Sequence, residues 1–350
     1  MSRSFLRGSV RGCLHIVLLM AIVCGVLIEP SVASASHDLD LDPGAHRLRI
    51  AARRALAYLS SQLLPDGSLD HRASETEDFI LATVAAGRDP NDLVAPSGKS
   101  VFDFLAANIA DATSDVNRTG KLVQAVVAAG RNPRNFAGQN LLAKIEGPHA
   151  TAGGFYDPVT GAFNNGINAT FHQSNAILGL VAADDDRFPV TAKAVSFLKS
   201  LQVTSGPGAG GWPADTTANT NSTAMALMAL AARRDHSADP AALAFLHTQQ
   251  DPATGGFAFT TLGPWGSTDS DPDSDALVVQ GLVAARQNPR GRVWTNAHGN
   301  ALTDVLRFQD PATGGFFFLP GSPPDAFTTS FIPAGLLRSP FPILPDDRDD

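Results

Sequence analysis

The sequence predicts an all-α chain of about six helix pairs, wound as two concentric rings into an α/α toroid. Three observations lead there. A turn is repeated verbatim: Asp251-Pro252-Ala253-Thr254-Gly255-Gly256-Phe257 returns as Asp310-Pro311-Ala312-Thr313-Gly314-Gly315-Phe316. Weaker copies stand at Pro65-Asp66-Gly67-Ser68-Leu69, Gly153-Gly154-Phe155 and Gly210-Gly211-Trp212, so one supersecondary unit recurs roughly every 45–60 residues. Lastly, two kinds of helix alternate. The first of each pair is amphipathic, as in Thr191–Gln202, where Val195, Leu198 and Leu201 share a face and Lys193 and Lys199 point away. The second is apolar almost all round, as in Thr223–Ala232, and a helix of that kind must be surrounded. An open solenoid leaves each second helix one wet side; a closed ring does not.

In chain order, residues 1–35 read as a secretory signal. Arg3, Arg7 and Arg11 form a basic n-region, Leu14 to Ile28 a short apolar core, and Ala33-Ser34-Ala35 a small-residue cleavage site. The apolar run is shorter than the ~20 residues of a membrane span, so export is expected rather than a transmembrane anchor. Residues 36–47 read as a flexible leader and 48–338 as the repeat region. The helix pairs fall at 48–63 and 74–86, 101–110 and 117–129, 140–146 and 170–183, 190–202 and 221–232, 240–250 and 273–285, and 300–309 and 325–337. Gly87 and Gly130 sit where a helix ends in a left-handed residue, and Pro90 and Pro133 bar continuation. The paired glycines of the turns are expected to need a backbone closed to β-branched residues. Residues 339–350 form a Pro-rich acidic tail, whose terminal charge run Asp346-Asp347-Arg348-Asp349-Asp350 is expected to be solvated and without a role.

Composition excludes several chemistries. Cys13 and Cys24 are the whole cysteine complement and both lie in the signal, so disulfides, thiolate zinc ligands and cysteine nucleophiles are not expected in the exported chain. Without Arg3, Arg7, Arg11 and Glu29, that chain keeps 23 basic against 33 acidic residues, a balance that argues against nucleic acid as a partner.

The junctions, with Gln249-Gln250 ahead of Gly255-Gly256-Phe257, resemble those of the terpenoid cyclase and protein prenyltransferase superfamily, whose prenyltransferase and squalene-oxidase repeats build α/α toroids. Within it the last two repeats look most like the toroid domain of transcobalamin and intrinsic-factor-type proteins and their secreted bacterial relatives. Asp275-Ala276-Leu277-Val278-Val279-Gln280-Gly281-Leu282, Trp294, Asn300-Ala301-Leu302 and Pro333-Ala334-Gly335-Leu336-Leu337 carry that likeness. The resemblance implies a cobalamin-like or isoprenoid small molecule as ligand.

In such a fold the second helices start at one end of the barrel. Aligning them puts Ser74 and Glu75, Asn117 and Thr119, His172 and Gln173, Asn221 and Ser222, Asp273 and Asp275, and Asp325 and Thr328 around that mouth. Helix capping explains many of these residue types on its own, at about 1 kcal/mol each. Gln124 and Gln280, at equivalent depths inside apolar helices, are not caps; each bonds a neighbouring helix or faces a wet cavity. The ligand-binding candidates are therefore Asn117, Gln124, His172, Gln173, Asn221, Ser222, Asp273, Asp275, Gln280 and Asp325.

The sharpest local feature is the alternating series Asp269, Asp271, Asp273 and Asp275. Beside capping, it admits an acid site similar to the DxDD motif of class II terpene cyclases, with Asp271, Asp273 and Asp275 as catalytic candidates. Ser274 stands where that motif has its last aspartate. Calcium is a second option, though Ser274 and Gln280 occupy the places where an EF-type loop needs Gly and Glu. A polysaccharide-active enzyme is a third, and it requires Glu75, Asp78 and Asp273 to converge. Ligand binding without catalysis is the expectation, with a terpenoid-cyclase-type or polysaccharide-active enzyme, or an adhesion module, as alternatives.

Overall fold

The computed structural model describes residues 42–148, 155–163, 168–184 and 189–345. The signal, both cysteines, Gly153-Gly154 and residues 346–350 lie outside the described residues. From Pro43 onward the chain forms one body. It is predominantly helical: thirteen α-helices and one two-stranded antiparallel ribbon, Trp212–Pro213 with Ala218–Asn219, occur among the described residues.

The helices are α1 (Pro43–Ser61), α2 (Ala73–Ala85), α3 (Val101–Ala107), α4 (Ile109–Ala112), α5 (Val116–Ala128), α6 (Leu141–Glu146) and α7 (Ala169–Ala182). They continue with α8 (Pro189–Ser200), α9 (Thr220–Ala232), α10 (Asp239–Gln249), α11 (Pro272–Ala284), α12 (Ala301–Asp304) and α13 (Ala326–Leu336). Helix α1 starts five residues before the expected Leu48, because Ala45 is buried and extends the apolar stripe of Leu48, Ala52 and Leu56 backwards. The expected helix at 101–110 breaks at Asn108 into α3 and α4, and that at 300–309 tightens after Asp304 into a 3₁₀ turn.

The six apolar helices pack in a closed circuit: α2 on α5, α5 on α7, α7 on α9, α9 on α11, α11 on α13, and α13 back on α2. Small residues let them approach. A Cβ on Gly281 would lie 2.8 Å from the Ala224 Cα, one on Gly335 2.7 Å from the Ala276 Cα, and one on Gly179 2.7 Å from the Gly120 carbonyl. The amphipathic helices pack on them from the other side: α3 on α2, α6 on α5, α8 on α7, α10 on α9, α12 on α11, and α1 on α13.

The turns follow one design. Their first glycines, Gly67, Gly161, Gly210, Gly255 and Gly314, all have φ between 82° and 91°, the left-handed region that favours glycine. Gln202, Gln250 and Gln309 donate to the carbonyls of Gly210, Gly255 and Gly314 at 2.8–2.9 Å, and Gln250 and Gln309 reach on to the next repeat, at Trp294 and Ala51. The residue after each turn donates its N–H to a side chain on the following apolar helix: Leu69 to Thr76, Phe163 to Gln173, Trp212 to Thr223, Phe257 to Asp275 and Phe316 to Thr329.

Two expectations change here. The third turn is Asp157-Pro158-Val159-Thr160-Gly161-Ala162-Phe163, not the Gly153-Gly154-Phe155 stretch; Asp157 accepts from Val159 N–H and Thr160 as Asp251 does from Ala253 and Thr254. The paired glycines do not share one backbone role either. Only the first is left-handed; the second, as at Gly256, is small because side chains press on it.

Up to Pro345 the tail packs on the helices; the charge run expected to be solvated lies outside the described residues. Gln280 donates to Ser339 O at 2.8 Å, Phe341 N–H to Met228 Sδ at 3.3 Å, and Ile343 is buried in the core. The segment thus packs against α9 and α11, where it covers apolar surface.

Candidate functional site

Helix caps account for part of the polar ring and displace the rest of it inward. Asp271 caps α11 through Ser274 N–H at 2.8 Å, and Asp325 caps α13 through Thr328 N–H at 2.8 Å. The caps of α5 and α9 are Asp115 and Asn219, each two residues ahead of the Asn117 and Asn221 expected in that role. Those two asparagines therefore lie inside the first turn and are half-buried.

Three candidates bond to the fold itself. Gln173 accepts from Phe163 N–H and donates to the Gly161 and Ala194 carbonyls. Gln280 holds the tail at Ser339. Asp275 accepts from Phe257 N–H at 2.7 Å on the outer side of α11, and it is wholly buried. Each of these three side chains, expected among the ligand-binding residues, bonds to the junction or the tail. Gln124 donates to Asn175 Oδ1 at 3.0 Å, and Asn175 donates to Asn117 Oδ1 at 2.7 Å, a bridge between α5 and α7. Gln124 thus takes the helix-bonding option.

Asp275 has a companion that lies far away in sequence. Asp304 of α12 is 1 % exposed, receives Ser270 Oγ at 2.5 Å and is paired with Arg307 at 2.6 Å. It also meets Asp275 side chain to side chain. Burial and the Asp304 charge push the Asp275 carboxyl well above the usual carboxylate range. Burial beside a second carboxyl thus favours the protonated form of Asp275.

What converges at the N-terminal end of the helix circuit is a different set. Positions four residues apart share a helix face. On the six apolar helices Ser74, Asn117, Phe171, Asn221, Asp273 and Phe327 form one tier, all half-buried or exposed. Four residues further in, Asp78, Lys121, Asn175, Met225, Leu277 and Phe331 form a second, more covered tier. Contacts within and between the helices tie these residues together, one of them from α5 across to α13, which is not its packed neighbour. Lys121 Nζ of α5 is 2.5 Å from Asp78 of α2 and 5.2 Å from the Phe331 ring centroid of α13. Phe331 stands edge-on to Phe327, centroids 5.2 Å apart.

The charges there crowd. Burial raises Asp78 to about 6 against the opposing pull of Lys121. Asp273 is pushed well above the ordinary range by burial and by Asp271, Asp325 and Asp78. Glu77, 1 % exposed, is raised strongly by burial, with Lys121 pulling the other way and Asp78 adding to the rise. Neither Glu77 oxygen has a hydrogen-bond partner, and Asp273 Oδ1, His172 Nδ1 and Ser222 Oγ also lack one. Burial lowers the His172 imidazole, so it is neutral at pH 7. Sequence reasoning named Asp78 and Asp273 but missed Glu77, Lys121 and Asp304. The available signal was a charge standing among the apolar residues of a second helix.

Among the described residues no three His, Cys, Asp or Glu side chains are grouped to hold a metal ion, so the calcium option at Asp269–Asp275 finds no support in the geometry. A groove of about 490 Å³ lies outside the acidic stretch, where Asp269, Asp271 and Arg307 face Phe259, Phe318 and Leu319. No described helix is long and apolar enough to cross a membrane. No family model matches this chain, and no curated protein matches it either.

Proposed function

We propose that the protein is an exported α/α toroid of the prenyltransferase and terpenoid-cyclase-like kind, which binds a small molecule at the end where the N-termini of its apolar helices gather. The closed circuit α2–α5–α7–α9–α11–α13 supports the toroid. The observation that carries the binding site is the two-tier surface: half-buried Asn117, Asn221, Asp273 and Phe327 over Asp78, Lys121 and Phe331, with buried polar atoms of Glu77, Asp273, His172 and Ser222 lacking partners. Buried polar groups are ordinarily satisfied, so unsatisfied ones such as Asp273 Oδ1, beside the half-buried polar residues at the helix starts, favour a ligand that satisfies them.

Mass spectrometry of protein purified from its native source tests this. A small molecule retained through purification and lost in an Asn221→Leu, Asp273→Leu variant is expected. A clean apo mass, with no thermal stabilisation by any compound of a metabolite panel, would sink it.

A second reading has one observation in its favour. Asp273 feels the Asp78 charge and both carboxyls are raised, which suits an acid and base pair in a polysaccharide-active enzyme. Release of reducing ends or unsaturated products from a polysaccharide panel, lost in Asp273→Asn, decides for it.

A further inference from the structure

The groove outside the acidic stretch is built as a site of its own, apart from the helix starts. We infer that it holds a neutral oligosaccharide, with sugar rings laid on Phe259 and Phe318 and sugar hydroxyls on Arg307, Ser270 and Asp269.

The two aromatic rings come from one repeated position. Each stands two residues after the aromatic that closes its turn, Phe257 or Phe316. Phe257 and Phe316 are wholly buried, whereas Phe259 and Phe318 are 39 % and 42 % exposed. Both line a groove of about 490 Å³, within the range of about 300–1,000 Å³ usual for small-molecule sites. Single exposed apolar side chains need no explanation. Here three of the nine large hydrophobic side chains exposed among the described residues, Phe259, Phe318 and Leu319, line this one concavity, so the exposure is gathered rather than scattered.

The polar wall is set in place from behind. Asp304, 1 % exposed, accepts from Ser270 Oγ and from Arg307 Nη1, and both of those residues line the groove. One buried carboxylate thus holds two polar groups ready at the surface, which lowers the ordering cost of binding.

Charge narrows the class of ligand. Asp251 accepts from Ala253 N–H and Thr254 Oγ1, and Asp271 from Ser274 N–H and Oγ, so these two carboxylates of the groove serve the turn and the helix cap. An anion would meet both of them, and the one guanidinium there is already paired with Asp304. A cation would find exposed Asp269 lined up with that same guanidinium. A hydroxyl accepts from Arg307 and donates to Asp269, and a sugar carries several hydroxyls side by side. Its C–H faces suit the negative faces of aromatic rings.

The test is isothermal titration of the full-length chain with neutral β-linked tetrasaccharides of glucose, xylose, mannose and N-acetylglucosamine. Tetragalacturonate and free phenylalanine serve as charged counterparts. Expected is binding of at least one neutral tetrasaccharide, with an affinity unchanged between low and high salt because no ion pair forms. Phe259→Ala and Phe318→Ala should each weaken it about tenfold, whereas Phe259→Tyr and Phe318→Tyr, which keep the ring, should bind as the wild type does. Both side chains are exposed, so all four variants should melt near the wild type. Asp273→Asn, which alters the helix starts and not the groove, should leave sugar binding as it was. Binding of none of the neutral sugars, binding that survives both alanine variants, or a preference for tetragalacturonate or phenylalanine overturns the inference. Sugar binding lost in Asp273→Asn but kept in the alanine variants overturns it too, and favours the helix starts instead.

Discussion

Asp275 does in one repeat what threonine does in three others. Thr76, Thr223 and Thr329 accept the same backbone N–H that Asp275 accepts from Phe257. A neutral hydroxyl does that at any pH, whereas at Asp275 the Phe257 bond favours the anion and burial beside Asp304 favours the protonated form more strongly. A folded-state pKa raised above the unfolded value near 3.9 stabilises the fold below about pH 4, and this contribution is lost as pH rises through the folded value. Glu77, Asp78, Asp271 and Asp273 shift in the same direction. The melting temperature of the wild type should therefore fall between pH 5 and pH 8. Asp275→Thr should fold, keep the Phe257 bond and show a shallower fall; an unchanged slope would mean that Asp275 does not titrate above the ordinary range. Asp275→Leu, which leaves the Phe257 N–H unpaired, should cost about 1–3 kcal/mol in denaturant melts at pH 5.

At the scale of the element, the repeated turn is a composite of separate demands. Gly255 is glycine for its φ of 82°. Gly256 is glycine because a Cβ there would lie 2.7 Å from Asp275 Oδ1 and still closer to Asp304 Oδ2. Gly256→Ala should therefore destabilise by about 1–3 kcal/mol. Asp304→Ser in that background should recover part of the loss, read as coupling in a double-mutant cycle. Gly255→Ala should gain nothing from Asp304→Ser, because its strain is in the backbone. Equal rescue of both variants would show that the two glycines serve one purpose.

Across the whole molecule, closure and the tail decide how the circuit holds. The last turn docks on the first helix: Arg54 donates to Pro311 O at 2.6 Å, Tyr58 to Pro324 O at 2.9 Å and Gln309 to Ala51 O at 2.9 Å. At the C-terminal ends of the apolar helices the tail lays down Ser339, Phe341 and Ile343. Ile343→Ala should cost about 2 kcal/mol. Ending the chain at Arg338 should lower the melting temperature further, because it also strips Gln280 of its acceptor. A truncated protein as stable as the full chain would return the tail to the role of a solvated appendage.

The helical class, the pairing of amphipathic with apolar helices and the places of the turns were legible in the sequence, because each rests on local chemistry. Hydrophobic periodicity sets which face is buried, and a left-handed turn calls for glycine wherever it occurs. Even the missed third turn was written there, as Asp157-Pro158-Val159-Thr160-Gly161-Ala162-Phe163 beside its verbatim cousins. Of the expected ring of mouth residues, Asp273 stands half-buried near a helix start, whereas Gln173 and Asp275 bond to the turn that precedes their helix. Chain position says that a polar residue stands near a helix start but not which way it turns, and a rotation of one residue, about 100°, moves it from the mouth to the junction. Asp304 meeting Asp275, Lys121 crossing to Phe331, and Ser339 filling the hand of Gln280 join residues 29, 210 and 59 positions apart. No local pattern encodes such pairs: they exist only once the circuit has closed, and it is there that burial, by removing water, turns ordinary carboxyls into protonated or partner-seeking ones.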